Sequence, residues 1–130
     1  MKIVICGSRR FFDDIRDLER KLRENGHIVL GPILNMNKSI GDLPDDLKTY
    51  AFLGLTLHHF EFIRKADICL MYNKDGYLGN SGTLELGFAV ACGIPIYALN
   101  EDKDEVCRNV LFDFVVNDVD EFVKIVNSNK

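Results

Sequence analysis

Apolar residues along this chain form short unbroken runs, separated by segments where they recur every three or four positions. Lys2 to Cys6 is such a run, closed by Gly7-Ser8, and predicts a buried strand. Asp13 or Asp14 can cap a helix to about Asn25, with Ile15, Leu18 and Leu22 as its stripe and Asn25-Gly26 as its stop. His27 to Leu30 predicts a second strand, ended by Gly31-Pro32. Residues 33–48 are polar and read as a long loop, which in a small domain is often functional. Thr49 to Lys65 has helical periodicity, with Phe52, Leu55, His59 and Ile63 on one face. Asp67 to Tyr72 predicts a third strand, followed by the turn-rich stretch Asn73 to Gly82. A helix from about Thr83 to Cys92 stops at Gly93, with Pro95 beyond it. Ile94 to Leu99 and Phe112 to Val116 predict the last strands, and Asp118 caps a helix to about Asn127.

Strands and helices therefore alternate, and the strands lack polar/apolar alternation. That combination predicts a parallel sheet covered on both faces. The expected fold is α/β: one three-layer α/β/α domain over residues 1–130, with a five-stranded parallel sheet of flavodoxin-like or Rossmann-like order. Such sheets bind ligands outside the carboxyl ends of their strands. The loops Gly7 to Phe12, Asn73 to Gly82 and the one after Leu99 meet that condition. Asp67 opens its strand, at the opposite edge, and reads as structural.

Composition narrows the function classes. A net charge of −4 over 130 residues argues against a nucleic-acid polymer as partner. No apolar run is long enough to cross a bilayer, and the first residues turn polar too soon for a secretion signal, so a cytoplasmic location is expected. Cys6, Cys69, Cys92 and Cys107 lack CxxC spacing and read as reduced core residues. His27, His58 and His59 lack metal-ligand spacing, so no metal site is expected from them.

Two stretches carry candidate chemistry. Gly7-Ser8-Arg9-Arg10 places a tight turn, a hydroxyl and two guanidinium groups at a strand end, which suits a phosphate or serves as a solvated turn. Glu85 lies in the first turn of its expected helix, where a glutamate can close a capping box. It also shares a face with the small residues Ala89 and Cys92, so it can be drawn inward as a nucleophile. His59, on the apolar face of its helix, is either a packed core histidine or a proton carrier. Phe11, Phe12 and Tyr77 can wall a planar ring or simply pack.

Ala66 to Asn73, Asp75 to Gly79, Ser81 to Ala89 and Gly93 to Ile96, with the opening strand and Gly7-Ser8-Arg9-Arg10, resemble the nucleoside 2-deoxyribosyltransferase superfamily. The resemblance spans about residues 2–100 and is most specific from Asn73 to Ala89. It implies that Glu85 attacks the anomeric carbon of a nucleoside and releases the base to transfer or hydrolysis. Gly7, Ser8 and Arg10 match the phosphate turn of the deoxynucleoside monophosphate hydrolases, with Arg9 beside them. Asn73, Asp75, Tyr77, Gly79, Asn80 and Ser81 are the remaining implied substrate contacts. Two positions depart from the family pattern. His59 stands eight residues before Asp67, where an aspartate is usual, and Gly79 stands six before Glu85, where a polar residue is usual. The implied partners are a small nucleoside or nucleotide and a second copy of the chain, as a homodimer or larger assembly, and the implied chemistry needs no metal or organic cofactor.

Two rival readings remain. Cytokinin-activating phosphoribohydrolases use Pro-Gly-Gly-x-Gly-Thr-x-x-Glu, but this chain has no Pro-Gly-Gly and only Leu84 separates Thr83 from Glu85. A nucleotide-binding or sensing module without turnover is the rival from another class, kept open by His59 and Gly79.

Overall fold

The computed structural model describes residues 1–32 and 40–129. Its strands are β1 (Lys2–Gly7), β2 (Ile28–Leu30), β3 (Ile68–Tyr72), β4 (Ile96–Ala98) and β5 (Phe114–Val115). They pair in the order β2-β1-β3-β4-β5, every pair parallel. This is the expected doubly wound order, and its switch point lies between β1 and β3. The helices are α1 (Phe12–Glu24), α2 (Asp45–Lys65), α3 (Gly79–Cys92), the single turn α4 (Val106–Asn109) and α5 (Val119–Ser128).

Each face of the sheet carries its own core. Ile3, Ile5, Leu70 and Tyr72 point to one face, where Ile15, Leu18 and Leu22 of α1 meet Phe122, Val123 and Val126 of α5. Val4, Cys6, Cys69 and Met71 point to the other, against Ile63 of α2 and Leu86 and Ala89 of α3. Strand residues that bury both faces explain the unbroken apolar runs. On the second face α2 and α3 meet through Phe60 and Phe88, whose rings stack at 4.5 Å.

Several boundaries differ from the sequence expectation. Asp13 and Asp14 do not cap α1; both lie inside its first turn, where they complement the dipole, and the N-cap position is Phe11. Helix α2 begins at Asp45 rather than Thr49, with Asp45 and Asp46 in its first turn. Of the expected loop over 33–48, residues 33–39 fall outside the described residues. Helix α3 begins at Gly79, one turn ahead of Thr83. Asp118 caps α5 as expected, accepting the Glu121 N–H at 2.7 Å. The cysteines are free, but only Cys6 and Cys69 are buried: Cys92 is half-buried and Cys107 is exposed on α4, so it is not a core residue. Asp67 accepts the Lys2 N–H at 2.7 Å and so ties the amino ends of β3 and β1. Among the described residues, no helix is long and apolar enough to cross a membrane.

Candidate functional site

The early start of α3 removes the capping reading of Glu85. It lies six positions beyond the first helical residue, Gly79, so it cannot close a capping box. Its position one turn before the buried Ala89 turns it toward the sheet. There it meets His59, which α2 directs inward one turn before the buried Ile63. Cys6, near the carboxyl end of β1, completes the group from below.

The three side chains form a tight cluster. Cys6 Sγ lies 3.3 Å from His59 Nε2, and His59 Nε2 lies 3.5 Å from Glu85 Oε2. Their ligand-type atoms all fall within 4.8 Å of one another. Cys6 is fully buried, while the His59 and Glu85 side chains retain 11% and 17% of their exposure. Glu85 Oε2 itself is buried and has no hydrogen-bond partner. A carboxylate oxygen stripped of water and left unpaired is costly, and such atoms call for a functional reason.

Burial dominates the electrostatics. It raises Glu85 to a pKa of about 7, an effect the nearby Cys6 thiol partly offsets. Burial also lowers His59 to about 4, helped by the neighbouring His58. The Cys6 thiol is held well above its ordinary value, first by desolvation and then by Cys69 and Glu85. At neutral pH the ring is uncharged and the carboxyl is close to half-ionised.

The cluster opens into a cleft of about 160 Å³ between α2 and α3. Phe52, Leu55, Phe60, Phe62 and Leu84 give it apolar walls, and Arg9, Thr56 and Ser81 add polar groups. Arg9 reaches the mouth with its guanidinium 5.5 Å from the Phe52 ring centre. An apolar slot with a few convergent polar groups and shifted titrations is the usual form of a small-molecule site.

Of the residues singled out from sequence, Glu85, His59, Arg9 and Ser81 come together on this wall. The others surround the strand ends. Gly7 packs so closely on Tyr72 and Ile15 that a Cβ would sit 2.9 Å from Ile15 Cδ1 and 3.1 Å from Tyr72 Cβ. Ser8 caps a 3-10 turn over Arg9–Phe11 and accepts the Arg10 N–H at 3.3 Å. Arg10 does not share Arg9's direction: its guanidinium lies 3.6 Å from the Tyr77 ring centre. Asn73 is buried and structural in its contacts. Its amide oxygen accepts the Leu99 and Asn100 N–H groups at 2.9 and 3.1 Å, and its amide nitrogen donates to the Asn100 carbonyl at 2.7 Å. Asp75 is exposed at the turn after β3, and Gly79 and Asn80 open α3. Phe11 packs in the core against Tyr72 and Tyr77 rather than walling the cleft.

Sequence reasoning missed Cys6 as a site residue and missed the aromatic wall from α2. The periodicity had put Phe52 and Leu55 on the face of His59, which was a usable signal. Cys6 gave none, because an apolar strand hides which of its residues ends beside a helix.

No known family profile and no curated protein matches the sequence. Solved structures do match in fold. A 2-deoxyribosyltransferase from Bacillus psychrosaccharolyticus superposes with a TM-score of 0.66 at 18% identity, over 95% of this chain and 90% of that one. The Clostridium botulinum CMP N-glycosidase BcmB superposes with a TM-score of 0.57 at 16% identity, over the full length of both chains.

Proposed function

We propose that this protein cleaves or transfers the N-glycosidic bond of a nucleoside or nucleoside 5′-monophosphate, with Glu85 as nucleophile. The observation that carries this is the buried, unpartnered Glu85 oxygen at the edge of an apolar cleft. Two enzymes of this fold support the class of reaction, since one bears the name of a deoxyribosyltransferase and the other of a CMP N-glycosidase.

In this reading the ionised carboxylate attacks C1′ from the face opposite the base. The C1′–N bond breaks, its electron pair leaves with the base, which takes up a proton from water at the cleft mouth, and the sugar stays on Glu85 as an ester. Water or a second base then attacks C1′ and frees the carboxylate. Desolvation makes Glu85 a stronger nucleophile than a solvated carboxylate, because no water shell has to be shed. His59 acts as a positioning residue: a neutral ring whose Nε2–H can hold the carboxylate in one rotamer. As acid for the leaving base, the other role the sequence allows it, an imidazole with a pKa near 4 starts uncharged at neutral pH and would first have to take up a proton. The apolar walls take the planar base, and Arg9 meets an anionic 5′ group at the mouth.

The reading extends to assembly as a homodimer. Tyr50, Leu53 and Leu57 lie along one face of α2 beside the cleft and are exposed by 71%, 52% and 55%. A contiguous exposed apolar face next to a site suits a second subunit.

Incubation with deoxynucleosides, ribonucleosides and their 5′-monophosphates, with chromatography for free base, tests the activity. Release that disappears in Glu85→Ala is expected. Ligand-induced thermal stabilisation with no base released from any compound assigns a sensing module instead.

A further inference from the structure

We propose that Cys6, His59 and Glu85 also form a binding site for one zinc-class divalent ion, whose occupancy blocks Glu85. The three residues are far apart in the chain and none has metal-ligand spacing, so only the fold creates the set. Three elements supply it: β1, α2 and α3.

The geometry fits a tetrahedral ion. With Zn–S near 2.3 Å and Zn–N and Zn–O near 2.0–2.1 Å, the edges of the tetrahedron are ~3.6 Å for S···N and ~3.4 Å for N···O. The corresponding distances here are 3.3 Å and 3.5 Å. Two edges of the triangle thus match a tetrahedral site, and the third pair of atoms lies within 4.8 Å, near enough for side-chain rotation to close it. The Glu85 oxygen that faces His59 is buried and lacks a hydrogen bond, so it has a lone pair to give. Phe62 packs edge-on to the His59 ring at 6.2 Å and helps fix its direction. Cys69 lies 3.8 Å from Cys6 but outside the three-residue group, and its thiol faces Met71 Sδ at 3.5 Å.

The donor set selects the ion. Thiolate, imidazole and carboxylate suit Zn²⁺ or Co²⁺, whereas Mg²⁺ and Ca²⁺ demand oxygen ligands in larger number. Three protein ligands leave one position facing the cleft, for water or an anion. Binding forms the metal–sulfur bond and releases the Cys6 S–H proton to buffer, together with the Glu85 proton where the carboxyl carries one, while the His59 proton sits on Nδ1, and nothing is oxidised or reduced. The carboxylate lone pair then belongs to the ion and cannot attack C1′.

The metal-binding part does not depend on the glycosidic reading, and the experiment separates them. Co²⁺ added to chelator-treated protein should bind one equivalent and give a thiolate-to-cobalt charge-transfer band with tetrahedral d–d absorption, displaced by Zn²⁺ and not by excess Mg²⁺. Cys6→Ser should lose the charge-transfer band. His59→Gln and Glu85→Gln should each weaken Zn²⁺ binding at least about tenfold in competition with a chromophoric chelator. Cys107→Ser, at the exposed cysteine, should change neither. Should Cys6→Ser fail to fold, the two other variants decide the matter. Zn²⁺ binding that is absent, or unchanged in the His59 and Glu85 variants, overturns the inference even where base release is seen. Zn²⁺ binding by a protein that, once chelator-treated, still releases no base sustains the site and defeats the glycosidic reading. Where base is released, one equivalent of Zn²⁺ should stop it and chelator should restore it; turnover undiminished at saturating Zn²⁺ overturns the blocking role.

Discussion

His59 Nε2 and Glu85 Oε2 stand 3.5 Å apart, yet they do not form an ion pair at neutral pH. Burial shifts the two in opposite senses, Glu85 up to about 7 and His59 down to about 4, and both shifts favour the uncharged form. Such a pair destabilises the fold whenever either member is forced to ionise. The site therefore holds reactive groups at the expense of stability, a frequent property of functional sites.

That relationship predicts a stability profile. The Glu85 carboxyl has a higher pKa folded than unfolded, about 7 against 4.5, so the folded state binds its proton more tightly. Its contribution is fully present below about 4.5 and is lost as pH rises through 7. In chelator-treated protein, Glu85→Gln should stabilise the fold at pH 8 by on the order of 3 kcal/mol and change it little at pH 4. His59 acts in the other direction: its neutral form is favoured, so stability falls as pH drops from 6.5 toward 4, and His59→Gln should flatten that limb. Urea unfolding at a series of pH values reads both. An equal effect of Glu85→Gln at pH 4 and pH 8 contradicts the burial argument.

Arg9 and Arg10 offer a second test, because the fold parts two neighbours that the sequence presents together. Arg9 lines the cleft, whereas Arg10 lies over Tyr77. Arg9→Ala should raise KM for a 5′-monophosphate by about tenfold or more, the loss of one charge-assisted contact of roughly 1.5–3 kcal/mol, and leave the free nucleoside nearly unaffected. Arg10→Ala should instead cost about 0.5–1 kcal/mol of stability, the size of an exposed cation–π contact, and keep the preference for the phosphate. Steady-state kinetics on both substrates, with thermal melts of both variants, distinguish the two arginines. The reverse pattern would reassign the phosphate contact to Arg10.

The same residues mark how far the sequence could be read. Strand order and layers were legible because buried parallel strands write unbroken apolar runs, such as Ile3 to Cys6 and Ile68 to Tyr72. Glu85 and His59 were legible as inward-facing polar residues on otherwise apolar helix faces. Cys6 was not, because a cysteine in an apolar run looks like any small core residue until a helix is laid across it. The start of α3 at Gly79 was also hidden, since Gly79-Asn80-Ser81-Gly82 has the composition of a turn. The helix starts there all the same, and Gly82 lies so close to the N-cap residue Leu78, one turn earlier, that a Cβ would come within 2.8 Å of Leu78 Cγ. The separate directions of Arg9 and Arg10 depend on the 3-10 turn capped by Ser8, which no pattern of residue types announces.

The loop after β4 is built to hold itself, and a third prediction concerns its centre. The Asp102 side chain is fully buried, pairs with the Arg108 guanidinium, and accepts the Asp104 and Glu105 N–H groups at 3.0 and 2.9 Å. Arg108 holds its carboxyl below the ordinary value of 3.8, with the backbone donors adding to the effect. Asp102→Asn removes the counter-charge of the half-buried Arg108 guanidinium and should destabilise the protein by about 1.5–3 kcal/mol near neutral pH, the size of a lost charge-assisted hydrogen bond. Because the folded pKa is depressed, the wild-type advantage is present above about 4 and shrinks as pH falls through the folded value. Guanidinium unfolding at pH 7 and pH 3 measures the difference. A constant gap across that range would show that lost packing, not charge, is responsible.

Two glycines should respond in opposite ways to the same added methyl group. Gly87 lies inside α3, exposed, with nothing within 4 Å of a Cβ. Gly87→Ala should therefore stabilise the protein by about 1 kcal/mol through helix propensity alone. Gly7 ends β1 with Tyr72 Cβ at 3.1 Å and the Tyr72 carbonyl oxygen at 3.2 Å from the same added atom. Its Ile15 contact can yield by a rotamer change, but the backbone of β3 cannot, so Gly7→Ala should cost about 1–3 kcal/mol. The strain falls between Cys6 and Ser8, where β1 hands the chain to the turn that carries Arg9. Gly7→Ala should therefore also weaken the response to a 5′-monophosphate, while Gly87→Ala should leave it intact. Thermal unfolding with and without the nucleotide reads stability and binding together. Equal ligand-induced stabilisation in Gly7→Ala and wild type would show that the turn is not positioned by that close approach.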